Sequence, residues 1–360
     1  MDRRRVGLVA LNLPMAKYPP GKRETVAPKF RRPPQDPGLF LLRTLLAASP
    51  RYVSGTHLAH GMKMSRVGVW NRVNKLRMQG IGIEGARNRG YRLAEEPSLL
   101  NQSLFEAHLD SVSPKCPCLV LDTVDSTNSE AERQLNADRK TPFAVLANQQ
   151  EKGRGRLGRK WHSPATGNLY LSVAFRPNLP PRELPVVNLW FGLRICQFLR
   201  KKTGLDLQVK WPNDLLLEDR KIGGMLAEAK IDVDRIRGLV LGLGLNVNAK
   251  RKHFPKTLAR SVSSFAETIG HSIRLHELAS DIVRCIIRAY REFERGANSS
   301  VLRKEWREID AFKDRSIVAR SGKETLSGTA RGIDENGALV LRLDDGKLRK
   351  LRSADVTLRK

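Results

Sequence analysis

The sequence predicts an α+β protein of three folded units behind a basic arm (residues 1–36). These are a winged helix-turn-helix over 37–97, a central mixed domain over 98–310 and a small β-barrel over 311–360. Three observations lead there. Apolar residues at helical spacing give way near Ile81 to a short alternating hairpin pattern. The stretch 143–175 sets a basic, glycine-rich loop between two apolar strand-like runs. Beyond Ala311 the pattern becomes short alternating segments, with turns at Ser321-Gly322 and Glu335-Asn336-Gly337.

The 360 residues include 65 Lys+Arg against 37 Asp+Glu, a net charge of +28. That balance favours polyanionic partners: nucleic acid, nucleotides or acidic protein surfaces. The arm holds nine Lys/Arg and three Asp/Glu, so most of the excess lies in the body. It is Pro-rich and aperiodic, and reads as a disordered segment. It has no cleavage-site pattern of a signal peptide. No apolar run approaches the roughly 18 residues of a membrane span. Cys116 and Cys118 lack the CxxC spacing of metal or redox sites, and Cys196 and Cys285 fall in apolar helical patterns. A disulfide framework is therefore not expected, which fits a reducing cytoplasm, and without a spanning run no membrane partner is expected.

In the first unit, Leu39, Leu41, Leu42, Leu45 and Leu46 form a helical apolar face. Ser54 caps a second helix to His60, and Gly61–Met64 makes the turn. Ser65 caps a third helix with Val67, Val69, Val73 and Leu76 inward and Arg66, Arg72, Lys75 and Arg77 outward. A hairpin from Ile81 to Leu93 follows, with Arg87 and Arg89 at its tip. This pattern lets the third helix enter a major groove while the wing touches the backbone. The candidate DNA contacts are Ser65, Arg66, Arg72, Lys75, Arg87 and Arg89. A helical packing domain with a solvated basic face fits the same residues, and Gly68 weakens the third helix. Pro97 to Pro117 reads as a linker with a short helix, Leu99–Leu109.

The central unit opens with an apolar strand, Leu119–Val124, and Asp125-Ser126-Thr127-Asn128 at a strand-to-helix turn. Ser126 or Thr127 suits a helix N-cap; the same groups also suit a small polar ligand. Four Gly (153, 155, 158, 167) and five Lys/Arg from Lys152 to Lys160 follow, closed by Trp161. Glycine permits close backbone approach to a ligand, and Arg supplies charged forks for phosphate or carboxylate. A solvated basic loop and an RNA-binding patch are the alternatives. A helix over Pro185–Lys202 leads to the strand Leu207–Lys210, which runs through Trp211–Asp214 into a strand Leu215–Leu217. A tight turn at Glu218–Arg220 then makes a hairpin with Lys221 at its neck, backed by Gly223 and Gly224. Gly242 and Gly244 alternate on one face of a buried strand that ends at Asn246. Helices fill Leu275–Arg295 and Ser299–Ile309.

Taken together, Asp125–Asn128, Gly153–Trp161, Lys210–Asp214 with Lys221, and Gly242–Asn246 make residues 119–248 resemble the catalytic domain of biotin protein ligases. The flanking units resemble those of the bifunctional ligase-repressor members. The resemblance implies a class II aminoacyl-tRNA synthetase-like catalytic fold and an SH3-like C-terminal β-barrel. It implies ATP and biotin as substrates with Mg²⁺, biotinyl-5′-adenylate as intermediate, and transfer to a lysine of the biotin carboxyl carrier protein of acetyl-CoA carboxylase.

By the same resemblance, Ser126, Thr127, Asn128, Gln150, Arg154, Gly155, Arg156 and Lys221 contact biotin. Arg154, Arg156, Arg159, Trp161 and Asn246 contact ATP or the adenylate, with Mg²⁺ near Asn246. Lys221, Arg156 and Asp214 are the catalytic candidates, Asp214 orienting or deprotonating the incoming amine. Operator DNA and a ligand-promoted homodimer complete the expected partners. Two other readings stay open: a ligase whose winged helix no longer reads sequence, and a biotin-sensing DNA-binding regulator without ligase activity.

Overall fold

A computed structural model describes residues 36–109, 116–296, 299–322 and 324–359; the expectation for the arm lies outside them except at Asp36. There the Asp36 carboxylate accepts from the Gly38 N–H and caps α1 (Pro37–Ala48). Ser54 and Ser65 cap α2 (Gly55–Met62) and α3 (Arg66–Met78) as expected. β1 (Gly82–Ala86) and β2 (Gly90–Glu95) pair antiparallel as the wing.

Two details reverse the expectation. Gly61 lies inside α2, and the turn is made by Lys63 in the left-handed region. A Cβ on Gly61 would sit 2.3 Å from the Phe40 ring, so this glycine serves packing between α1 and α2. Val67, expected inside, is 67% exposed, and Trp70 beside it is 52% exposed. The core stripe of α3 is Val69, Val73 and Leu76 alone.

The short helix expected within the linker forms, and it acts as a joint. On α4 (Gln102–Leu109), Leu104 and Ala107 enter the core of the first unit, while Phe105 and Leu109 enter that of the central unit.

The central unit is built on a seven-stranded sheet in the order β3-β4-β5-β9-β8-β7-β6. Its strands are β3 (Cys118–Val124), β4 (Phe143–Gln150), β5 (Leu169–Phe175), β6 (Leu207–Lys210), β7 (Asp214–Leu217), β8 (Arg220–Asp232) and β9 (Arg235–Leu245). β3 and β4 run parallel; all other neighbours are antiparallel. Period-2 alternation divides the two faces. Ala144, Leu146, Leu171, Val173, Leu241 and Leu243 join the large core with α6 (Leu184–Thr203) and α8 (Leu275–Glu294). Phe143, Val145, Ala174 and Val240 pack with α5 (Thr127–Asn136) on the other face. Gly242 and Gly244 point to that second face, beyond the end of α5. The short α7 (Phe265–Ile269) follows the strand exit.

After α9 (Ser299–Trp306), β10 (Ser316–Ser321), β11 (Glu324–Ile333), β12 (Leu339–Leu343), β13 (Leu348–Leu351) and β14 (Asp355–Leu358) form a five-stranded sheet ordered β13-β12-β11-β10-β14. β14 was not foreseen. Ile317, Ala319, Ala330, Leu339 and Leu341 merge with the central core, and Trp211 Nε1 donates to the Gly337 carbonyl across the join. No helix among the described residues is long and apolar enough to cross a membrane.

Candidate active site

The second face of the sheet holds a cavity of about 280 Å³. Its floor is a buried polar network. Ser126 sits at the N-cap of α5, yet its side chain makes no capping hydrogen bond. It is 3% exposed and lines the cavity, which favours the ligand reading of this hydroxyl over the capping one. Gln150, at the end of β4, accepts through Oε1 from the Thr127 N–H (2.9 Å) and hydroxyl (3.2 Å). Its Nε2 donates to Ser163 Oγ. Ser172, wholly buried on β5, donates to Asn128 Oδ1 at 2.5 Å, and its Oγ lies 2.8 Å from Thr127 Oγ1. Asn128 Nδ2 donates to Glu228 Oε2 (2.7 Å) and to the Leu226 carbonyl. Gly242 makes room for this: a Cβ there would lie 2.2 Å from Asn128 Oδ1.

Trp161 covers the next part of the face. Gly224 and Gly244 are register partners on β8 and β9. A Cβ on Gly244 would be 2.5 Å from the indole, and one on Gly224 3.4 Å. The paired glycines form a flat bed for the ring. Lys221 Nζ stands 5.1 Å from the ring centroid and 2.7 Å from Asp214 Oδ1. Thus the hairpin neck brings Lys221 and Asp214 together across the β7–β8 turn.

The basic loop forms the mouth. Arg154 pairs with Glu228 at 3.0 Å and bridges in β fashion to Lys160; Gly155 N–H donates to the Arg159 carbonyl. Arg159 reaches the C-terminal unit and pairs with Asp355 at 2.6 Å. Among the described residues the Arg156 guanidinium makes one hydrogen bond, to the Ser353 hydroxyl at 3.3 Å, and has no carboxylate partner. Burial pushes its guanidinium below the usual range, opposed by the charge of Asp214 and aided by that of Arg159. A half-buried cation without a counter-ion is a place for an anion. Ala354, Asp355 and Val356 line the same cavity.

At the far end Asn246 is 3% exposed, its Nδ2 donating to the Ser263 carbonyl. It offers one amide oxygen, and the cavity's two carboxylates, Asp214 and Asp355, are already engaged by cations. No group of three or more His, Cys, Asp or Glu that could hold a metal occurs among the described residues. The protein groups do not assemble a cation cage.

All the residues expected to contact biotin or ATP line this one cavity. Sequence reasoning missed Ser172, Ser163 and Glu228, which complete the floor, and Ser353 and Asp355, which hold the loop. The expected DNA contacts lie elsewhere. Arg66, Lys75, Arg87 and Arg89 are exposed on α3 and the wing, Arg89 over the Tyr52 ring. Arg72 is half-buried near Gly38 of α1, and Ser65 Oγ accepts from the Gly68 N–H.

Three family models match the chain. Residues 120–246 match the model of the biotin/lipoate A/B protein ligase family, residues 314–359 that of the biotin protein ligase C terminal domain, and residues 39–92 that of an HTH domain. The bifunctional ligase/repressor BirA of Escherichia coli (strain K12) is 31% identical over 314 residues, covering 87% of this chain and 95% of BirA. BirA of Bacillus subtilis (strain 168) is 29% identical over 318 residues, 88% of this chain and 97% of its own. Among solved structures, the biotin protein ligase from Aquifex aeolicus in complex with biotin and ATP superposes with a TM-score of 0.58 at 26% identity, covering 68% of this chain and 99% of that one. With a near-full-length relative above 30% identity and the family's own model falling on the strands that build the cavity, the chain belongs to the biotin/lipoate A/B protein ligase family.

Proposed function

We propose that this chain is an ATP-dependent, AMP-forming biotin–[acetyl-CoA-carboxylase] ligase that also reads DNA through its winged helix. One observation carries the enzymatic part. A single cavity joins a buried hydrogen-bonding floor, suited to a small polar head group, to a mouth where Lys221 and the unpaired Arg156 converge.

In the first step a biotin carboxylate oxygen attacks the α-phosphorus of ATP. The bond from that phosphorus to the bridging oxygen breaks, and pyrophosphate leaves with its electron pair. Two anions must meet, so the cations at the mouth lower the barrier where charge develops. Ser126, Thr127, Asn128 and Gln150 orient biotin. Lys221 bridges its carboxylate and the α-phosphate; Arg154, Gly155, Arg156 and Arg159 close over the phosphates; Trp161 borders the adenine and Asn246 the phosphates. Mg²⁺ accompanies ATP as part of that substrate, consistent with its habit of keeping phosphate and water ligands.

In the second step the carrier's lysine amine attacks the acyl carbon, the acyl–phosphate bond breaks, AMP leaves and the amine loses a proton. Asp214 is held by Lys221. Once substrate anions draw Lys221 away, its carboxylate is released to orient that amine. The adenylate hydrolyses readily, so a closing loop also protects it from water.

Coverage of nearly all of both BirA relatives supports the repressor role, with Arg66, Lys75 and the wing tip Arg87 presented together to solvent. On this reading the catalytic domain is class II aminoacyl-tRNA synthetase-like, the last sheet is SH3-like, the units divide at 37–97, 98–310 and 311–360, and the protein works in the cytoplasm. The adenylate promotes a homodimer, because a ligand favouring the dimer stabilises it by mass action. A gel shift with upstream DNA of biotin-synthesis genes, with and without adenylate, separates repressor from plain ligase.

Lys221→Ala tests the site. Biotin-dependent exchange between ATP and pyrophosphate should fall on the order of a hundredfold or more, the scale of losing one transition-state charge contact. Exchange at the normal rate in a folded variant would remove Lys221 from the mechanism.

A further inference from the structure

The segment between β9 and α7 carries a charge pattern that adenylation does not use. From Arg235 to Ala266 the chain has no Asp or Glu. Within it Arg251, Lys252, Lys256 and Arg260 are exposed, and among the described residues none of the four makes an ion pair or a side-chain hydrogen bond. None of them lines the cavity, so they are not part of its phosphate-facing set. Yet they sit on its rim. Leu258 and Val262, from the same segment, line the cavity. The Ser261 carbonyl accepts from the Lys221 N–H at 2.8 Å, and the Ser263 N–H donates to the Lys221 carbonyl at 3.0 Å. His162, just past the basic loop, lies 2.9 Å from the His253 carbonyl through Nε2. Buried Phe254 anchors the middle.

We propose that this cationic rim is the docking surface for an acidic face of the carrier domain, next to the lysine that receives biotin. The inference rests on the ligase reading. Its ground is charge complementarity at a fixed place. The acceptor lysine must enter the cavity at every turnover, so the domain that bears it passes over this rim. Four uncompensated cations there attract a partner whose surface is negative and repel a positive one. DNA is the less suitable occupant: a duplex lying on the rim would cover the mouth, and the other DNA-facing cations are on α3 and the wing. The work done by such a patch is steering, which raises association rates by roughly ten- to a thousandfold at low salt.

The test uses the full chain with the triple change Lys252→Glu, Lys256→Glu and Arg260→Glu, and purified unbiotinylated carrier domain. Two rates are read: biotin-dependent ATP–pyrophosphate exchange without carrier, and biotin transfer, by mass increment, against carrier concentration. Exchange should stay within about twofold, while kcat/KM for the carrier falls about tenfold or more at low salt. The gap should close in about 0.5 M salt, where screening reaches only a few ångströms. Lys252→Gln, Lys256→Gln and Arg260→Gln together should give an intermediate loss. Unchanged carrier kinetics with normal exchange overturns the docking surface alone, as does a loss that persists at high salt. So does a fall in DNA affinity without a change in carrier kinetics. An equal fall in exchange and transfer would assign the rim to the nucleotide instead. No exchange in the unaltered chain would overturn the ligase reading itself, and the rim's role with it.

Discussion

Two carboxylates with little solvent exposure stand where the central unit meets its neighbours, and they are opposites. Glu96 follows the wing and is 10% exposed at the side chain. Its Oε1 is bonded by His108 Nε2 on α4 at 3.2 Å and Arg274 at 2.5 Å, while Oε2 lies 3.2 Å from His276 Nδ1 on α8 without a formed hydrogen bond. Because His276 Nε2 accepts from the Asn101 N–H, neutral His276 carries its proton on Nδ1, facing Glu96. Asp310 follows α9 at the entry to the last sheet and is 6% exposed. It accepts one N–H, from Phe312, and among the described residues it makes no ion pair, its Oδ2 being buried without a hydrogen bond. Burial raises both carboxyls. At Glu96 the hydrogen bonds from His108 and Arg274, with His276 close by, outweigh it and hold the group well below its ordinary range. At Asp310 burial prevails over the Phe312 N–H and the nearby Trp306 indole, and the group is pushed up to about 6. The same chemical group stabilises one joint and weakens the other, and the partners decide which.

The largest effect should come from Glu96→Ala. Removing one member of a buried ionic cluster costs about 3 kcal/mol. The variant should melt several degrees lower, and amides of α4, which joins both cores, should exchange faster. The sign of the pH dependence follows from the lowered carboxyl. Its contribution is full above the unfolded value of 4.5 and is lost as pH falls through the lower folded value. The two proteins should therefore converge in acid. A constant gap down to low pH would mean that packing, not charge, is what Glu96 provides.

Asp310→Asn should act in the other direction. Above pH about 6 the folded chain holds a disfavoured charge; between about 6 and 3.8 it binds a proton that the unfolded chain does not, so its stability rises as pH falls across that window. Asn should stabilise by on the order of 1–2 kcal/mol at pH 8, and the gain should vanish near pH 4. A loss of stability at pH 8 would mean that the ionised carboxylate has a partner in solution.

Neither role could be read from the sequence, because each depends on elements far apart in the chain. What was legible was local. Ser54 and Ser65 announced two helices, the loop at 153–160 announced cations between strands, and Gly242 and Gly244 announced a face kept clear. The resemblance then gathered residues from Ser126 to Asn246 into one site, and they do line one cavity. Missed were contacts set by sheet register and long reach: Ser172 under Asn128, Glu228 between Asn128 and Arg154, and Asp355, which is 196 residues from Arg159. Val67 and Gly61 failed for a related reason. Helical spacing cannot say whether a neighbouring helix will cover a given position, and here Phe40 takes the place above Gly61 while nothing covers Val67.

A third carboxylate, Asp355, sharpens the contrast because it is neither buried nor unpaired. Its bond to Arg159 is short, 2.6 Å, and lowers its carboxyl below the ordinary 3.8. Yet the two side chains are 63% and 43% exposed, and pairs so solvated contribute roughly 0–1 kcal/mol. Asp355→Asn should leave the melting temperature nearly unchanged. Its effect should be confined to the loop that Arg159 belongs to. Without the C-terminal contact, trypsin should cut at Arg154, Arg156 or Arg159 several times faster than in the parent chain, an increase set by local opening. Biotin with ATP should suppress cleavage in both proteins, because anions gather the same arginines from the other side. Equal cleavage of the two proteins without substrate would show that the last sheet does not hold the loop. A fall in melting temperature matching that of Glu96→Ala would show instead that this exposed pair is structural, and the division between fixed joints and a releasable one would fail.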